Sequence, residues 1–218
     1  MEQKILTNEQ LKLLNIISDD KEIVKRFYLS DGTALTTFYI PYRFSEDLDF
    51  FSVEDFEAEA ILAFFKKNKG LIGYKTFDFQ RSFNRNLIFL DFQKKDALKL
   101  EFTYFPFPQV EKPIKKMGIK IDGLLDIAVN KVFTISQKPR TRDFMDLYAI
   151  LEEKGWDFLE LLKKARIKFD WHIDPVNLGS QLMKAENMKD YPKLVKKIDD
   201  KKWQSFFLET AKKLGEQI

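Results

Sequence analysis

The chain reads as an α+β protein. A mixed β-sheet core with flanking helices occupies residues 1–110, and a helical C-terminal region occupies residues 111–218. Three observations predict this. Up to Asn68, segments with helical spacing alternate with two short strand-like runs. From Leu71 to Phe105 the pattern changes to aromatic and aliphatic runs with polar residues interleaved, as in strands. Pro106, Pro108 and Pro113 then break the chain, and from Asp122 onward nearly everything carries helical spacing.

The elements follow in order. Thr7 caps a helix running from Asn8 toward Arg26; Gln10 completes a capping box, and Leu11, Leu14, Ile17 and Val24 keep helical spacing. Phe27-Tyr28-Leu29 is a short strand that ends in the turn Ser30-Asp31-Gly32-Thr33. A short helix from Thr33 to Tyr39 stops at Pro41, and Tyr42 to Ser45 lead into the acidic strand Ser45-Glu46-Asp47-Leu48-Asp49-Phe50-Phe51. Ser52 and Asp55 signal the start of a helix from Phe56 to Asn68, closed by Gly70. Strands follow through Tyr74, Phe77 and Phe79, then Leu87 to Phe92, then Leu98 to Tyr104. After the basic run Lys112 to Lys120, Asp122 caps a helix from Gly123 to Gln137 with Leu125, Ala128, Val129 and Val132 as its apolar stripe. Helices from Arg142 to Glu153 (ended by Gly155), Trp156 to Ile167, Asn177 to Met188 and Trp203 to Gly215 complete the chain.

Composition bounds the function. With 218 residues, 44% of them hydrophobic and 33% charged, the chain belongs with soluble globular proteins, and its 22 phenylalanines can fill a large aromatic core. A net charge of +3 is too small to mark a nucleic-acid binder by itself. The absence of cysteine excludes disulfides, thiolate catalysis and zinc–thiolate sites. The first ten residues lack the apolar core of a signal peptide, and no apolar run approaches about 18 residues. The expectation is a cytoplasmic protein with no membrane contact.

Two clusters carry chemistry. Alternate residues of a strand share a face, so Asp47 and Asp49 point the same way and repel each other. A hard divalent cation such as Mg²⁺ resolves that repulsion; the alternative is an acidic edge strand facing water. Lys99, Glu101 and Thr103 share one face of their strand. Glu101 becomes a third carboxylate at the same cation if that strand lies beside the acidic one; otherwise it belongs to an ordinary surface alternation. Gly32 can bring its backbone close to a phosphate, with helix N–H groups behind it. The second cluster is Lys131 followed by Arg142-Asp143-Phe144-Met145-Asp146-Leu147, in which Arg142, Asp143 and Asp146 lie along one side of a helix. Structural readings stand beside the functional one: Asp143 favours the helix dipole, Arg142 and Asp146 form an i,i+4 ion pair, and Lys131 is a helix-face lysine. His172, the only histidine, reads as a surface or structural residue.

Together these segments resemble the AbiEii/AbiGii toxin-like nucleotidyltransferases of the polymerase-β-like superfamily. That family shows a Gly-Gly-Thr turn and helix, then Ser-x-Asp-hydrophobic-Asp, then a helical lysine and Arg-Asp-x-x-Asp-hydrophobic. The matching residues here are Asp31-Gly32-Thr33-Ala34-Leu35, Ser45 to Phe51, Lys131, and Arg142 to Leu147, spanning roughly residues 25–155. Asp31 replaces the first glycine of the turn, and Glu101 stands where such enzymes often show Asp.

The resemblance implies a nucleotidyltransferase core in the first 110 residues and a helical domain that completes its active site. It implies Asp47 and Asp49, with Glu101, as ligands of Mg²⁺ or Mn²⁺. Gly32, Thr33, Ser45, Lys131 and Arg142 would hold an NTP, Asp143 would orient Lys131 or assist an acceptor hydroxyl, and Asp146 would support it from behind. The implied acceptor is tRNA or other RNA, met by Arg140, Arg142, Lys138 and the basic run Lys112, Lys115, Lys116 and Lys120, in a type IV toxin–antitoxin or phage-defence role with a cognate antitoxin. Transfer to a protein or small molecule is one alternative; an inactive nucleotide-fold binding protein is another.

Overall fold

The computed structural model describes residues 5–93 and 96–216. Its centre is a seven-stranded mixed sheet in the order β3-β4-β5-β2-β1-β7-β6. The strands are β1 (Tyr28–Ser30), β2 (Leu48–Ser52), β3 (Thr76–Ser82), β4 (Arg85–Asp91), β5 (Leu98–Tyr104), β6 (Ile114–Lys116) and β7 (Ile119–Ile121). β1 runs antiparallel to β2 and parallel to β7, while β2 runs parallel to β5. The β3-β4 hairpin extends the sheet antiparallel beyond β5, and β6 pairs antiparallel with β7.

Alternation along the strands sorts the two faces. Leu48 and Phe50 of β2, Leu100 and Phe102 of β5, and Ile88 and Leu90 of β4 are buried together. Phe102 stacks on Phe50 at 5.1 Å between ring centroids and meets Phe27 and Phe65 edge-on. This face is covered by α1 (Asn8–Ser18), α2 (Lys21–Arg26), α4 (Ala58–Lys67) and α5 (Lys69–Ile72), which contribute Leu13, Leu14, Ile17, Ile61, Phe64 and Phe65 to the core. The opposite face carries Asp47, Asp49 and Glu101; α3 (Asp31–Phe38) packs on β1 and β2, and α6 (Leu124–Gln137) packs on α3. Behind α6 lie α7 (Thr141–Lys154), α8 (Phe158–Phe169), α9 (Pro175–Met183) and α10 (Asp200–Gly215), packed around Phe144, Trp203 and Phe207.

Most elements lie where the sequence places them. Thr7 and Gln10 form the full capping box of α1, and the left-handed Gly155 ends α7. The predicted single helix to Arg26 is two helices, because the Asp20 side chain accepts from Glu22 and Ile23 and restarts the chain. Ser52 and Asp55 do not start α4. Ser52 ends β2 with its hydroxyl turned to Glu54, and Glu57 is the cap residue. The helical stretch there closes at Gly73 (φ 91°) rather than Gly70. Asp122 does not cap α6 either. Its buried carboxylate accepts from Ser30 Oγ at 2.7 Å and Gln109 Nε2 at 2.8 Å, tying β1 to the chain entering α6. The basic run contains a hairpin, β6-β7, around Met117 and Gly118, so the sheet runs past residue 110. No helix among the described residues is long and apolar enough to cross a membrane.

Candidate active site

Register builds the carboxylate face. Asp49 lies directly between Ser30 of β1 and Glu101 of β5, and Asp47 sits two residues earlier on the same side. The neighbouring strand that Glu101 required is therefore present. Lys99, two residues before Glu101, donates to Asp47 Oδ2 at 3.0 Å and lies 3.8 Å from Glu101 Oε2. Arg142 reaches the same Asp47 oxygen at 3.8 Å. Arg85 grips Glu101 with both arms, at 2.6 and 2.5 Å, and Thr103 Oγ1 donates to Glu101 Oε1 at 2.8 Å. The Asp49 carboxylate accepts no hydrogen bond among the described residues. Burial, then the negative charges of Asp31, Glu101 and Asp47, push it up to about 8. A half-buried carboxylate with like charges around it and no donor has the chemistry of an oxygen ligand for a hard divalent cation, so Asp47 and Asp49 fit such an ion. Glu101 can join only by sharing oxygens already committed to Arg85 and Thr103.

The second constellation is a buried cage around Lys131, which is 3% exposed. Its ammonium pairs with Asp31, with Asp143 Oδ1 at 2.8 Å and with Asp146 Oδ2 at 3.0 Å. These three carboxylates have the mutual spacing of a cation site, and the cation between them is the lysine itself. Burial alone would lower the Lys131 pKa, but Asp143, Asp31 and Asp146 together hold it well above the ordinary lysine value. Burial would likewise raise Asp31 and Asp146. Lys131 outweighs that at Asp31, and Arg43 with Lys131 does so at Asp146, so both stay ionised. Asp31, where the resemblance has glycine, thus faces Lys131. It adopts the left-handed backbone (φ 53°) at the start of α3 to do so.

Asp146 anchors more than Lys131. Arg43 donates to both of its oxygens at 2.7 Å, and Tyr42 Oη donates to Oδ1 at 2.6 Å. The expected Arg142–Asp146 ion pair does not form, because Arg43 and Lys131 take Asp146 while Arg142 turns to Asp47. Gly32 lies against this pair: a Cβ there would stand 2.5 Å from an Arg43 guanidinium nitrogen and 3.0 Å from Ser45 Oγ. Arg43 carries no signal in the sequence, where an arginine two residues before Ser45 is unremarkable until its partner is known. Thr33 is buried and donates to the Asp47 carbonyl, positioning the acidic strand.

The remaining candidates are dispersed. Arg140 and Arg142 line a cleft of about 200 Å³ with Phe44, Tyr191 and Lys193. Lys115 and Lys120 face each other across β6-β7, whereas Lys138 ends α6, whose 14 residues span about 21 Å. His172 is exposed between α8 and α9.

Comparison with known proteins follows the same lines. The family model described as nucleotidyl transferase AbiEii toxin, type IV toxin–antitoxin system, matches residues 19–213. An uncharacterized protein of Aquifex aeolicus (strain VF5) is 33% identical over 149 residues, covering 67% of this chain and 68% of its own. Among solved structures, a putative nucleotidyltransferase from H. pylori superposes with a TM-score of 0.61 at 20% identity, over 100% of this chain and 96% of that one. JHP933 from Helicobacter pylori superposes with a TM-score of 0.58 at 17% identity, over 96% and 90% respectively. Both solved structures share the fold.

Proposed function

The chain belongs to the AbiEii nucleotidyltransferase toxin family, and on that premise we propose that it transfers a nucleoside monophosphate from an NTP to an RNA acceptor, tRNA first. The observation that carries this reading is Asp49, a carboxylate without a donor between two others on the sheet face that meets the helical half. Asp47 and Asp49 would hold Mg²⁺ or Mn²⁺, which supplies charge neutralisation for the triphosphate and geometry for in-line displacement. Ser45 and the first N–H groups of α3 after Gly32 would receive the phosphates, and Arg142 would add the guanidinium that lies beside Asp47. The acceptor hydroxyl attacks the α-phosphorus, its proton passes to solvent or a nearby carboxylate, and pyrophosphate leaves. Lys131 and Asp143 hold the helical half against the turn carrying Asp31, and Asp146 fixes Arg43 behind Ser45. The cleft of Arg140, Arg142, Tyr191 and Lys193 offers charge and an aromatic face to an acceptor strand. Such an activity suits a toxin restrained by a cognate antitoxin.

The test is transfer of α-labelled ATP, GTP, CTP and UTP, with Mg²⁺, into total tRNA, protein and the enzyme itself. An Asp47→Asn/Asp49→Asn double variant runs alongside. Label on RNA that vanishes in the variant supports the proposal. Label on protein or a small molecule keeps the chemistry and overturns the acceptor. No label from folded protein makes it a binding module.

A further inference from the structure

We propose that the triphosphate is received by Lys99, together with Arg142, and that Lys131 is a fixed strut rather than the phosphate-binding lysine. This rests on the nucleotidyltransferase reading above and names the residues of the same site that touch the nucleotide's phosphates.

The two lysines differ in what each would leave behind. Lys131 is fully engaged by Asp31, Asp143 and Asp146 in a buried cage. With Arg43 and Arg140 included, the three carboxylates of the cage are matched by three cations, so it has no positive charge to spare. Moving the ammonium to a phosphate would strand buried carboxylates next to an incoming anion, and both effects oppose the move. Lys99 sits otherwise. Its side chain is 25% exposed, and it lies on β5 at the level of Asp47, with its ammonium on Asp47 Oδ2. Arg142, 28% exposed, approaches that same oxygen from α7. Both cations therefore sit at one oxygen of Asp47, and a divalent ion bound by that carboxylate would compete with them.

With a divalent ion held by Asp47 and Asp49, Lys99 would lose the attraction that holds it and would be repelled. The lysine's four-carbon stem then lets the ammonium turn outward. The phosphates that accompany the metal present the nearest uncompensated negative charge, so the displaced ammonium and the Arg142 guanidinium become their counter-ions. Arg85 is not released in the same way, because its two hydrogen bonds end on Glu101. Lys99 thus has two partners in succession: Asp47 before loading, and the triphosphate after it.

The experiment measures binding, not turnover. Mn²⁺ affinity is read by electron paramagnetic resonance of the free ion, without nucleotide. Affinity for the α,β-methylene analogues of the four NTPs with Mn²⁺ is read by calorimetry. Lys99→Met should bind Mn²⁺ alone several-fold more tightly than wild type, since a competing cation is gone. It should bind the analogue that wild type prefers about tenfold more weakly, the weight of one charge-assisted contact. Lys99→Arg should recover most of the analogue affinity. Lys131→Met should show its effect as a lower melting temperature. A Lys99→Met protein that binds the analogue as well as wild type, or Mn²⁺ no better, overturns the inference. Wild-type protein that binds Mn²⁺ but none of the four analogues overturns the nucleotidyltransferase reading itself.

Discussion

Asp49→Asn should make the metal-free protein more stable at pH 8 while leaving it unchanged near pH 4. The Asp49 carboxyl is pushed up to about 8 by burial and by Asp31, Glu101 and Asp47, whereas in the unfolded chain it titrates near 3.9. Below the unfolded value both states are protonated and the site costs nothing. Between the two values the unfolded chain ionises and the folded one does not, so stability falls as pH rises, by at most about 1.4 kcal/mol per unit. Above 8 the penalty is constant. The full span would amount to roughly 5–6 kcal/mol by that rule, an upper bound for a carboxyl that is only half-buried; about 2 kcal/mol is the expected gain for the asparagine at pH 8. For a chain of this size that corresponds to about 4–8 °C in melting temperature. The assay is thermal unfolding in EDTA from pH 4 to 9, wild type against Asp49→Asn, with urea midpoints as a check. Excess Mg²⁺ should reverse the order at pH 8, because only the carboxylate gains by binding it. Superimposable pH profiles in EDTA, or an asparagine variant less stable at pH 8, would refute the reasoning.

Two further outcomes follow from the buried cage. Asp146→Asn leaves Arg43 and Lys131 buried without their shared counter-charge and should cost about 3–5 kcal/mol in urea unfolding. Gly32→Ala drives a methyl to within 2.5 Å of the Arg43 guanidinium, whose two bonds to Asp146 leave it little room. The expected loss is about 1–3 kcal/mol of stability by denaturant titration.

Much of this molecule was legible in order of residues. Alternation placed Asp47 and Asp49 on one face of their strand and Lys99, Glu101 and Thr103 on one face of theirs, and capping chemistry located α1, because both follow from local geometry. The adjacency of β2 and β5 came only as a condition on Glu101, since nothing local chooses which strands of a sheet lie together. Partnerships across 100 residues were hidden for the same reason. Arg43 looked idle and Asp146 looked paired with Arg142, yet Arg43 takes Asp146. The β6-β7 hairpin was missed because three-residue strands crowded with lysine carry too little apolar signal to stand out. Ser52 and Asp122 misled as caps because small polar side chains bind strand ends and distant hydroxyls as readily as helix starts.

The pairing of β1 has a consequence for the order of events on the ribosome. β1 is three residues long and takes β2 as one neighbour soon after synthesis, but its other neighbour, β7, comes with the Ser30–Asp122 bond that joins residues 92 apart. At about 5–20 residues per second the nascent chain spends some seconds with that edge unpaired. The cage needs Lys131, Asp143 and Asp146, which come later still. A chain cut short before α7 lacks Arg142, Asp143 and Asp146, so on the proposed site it should be inert until that helix is made.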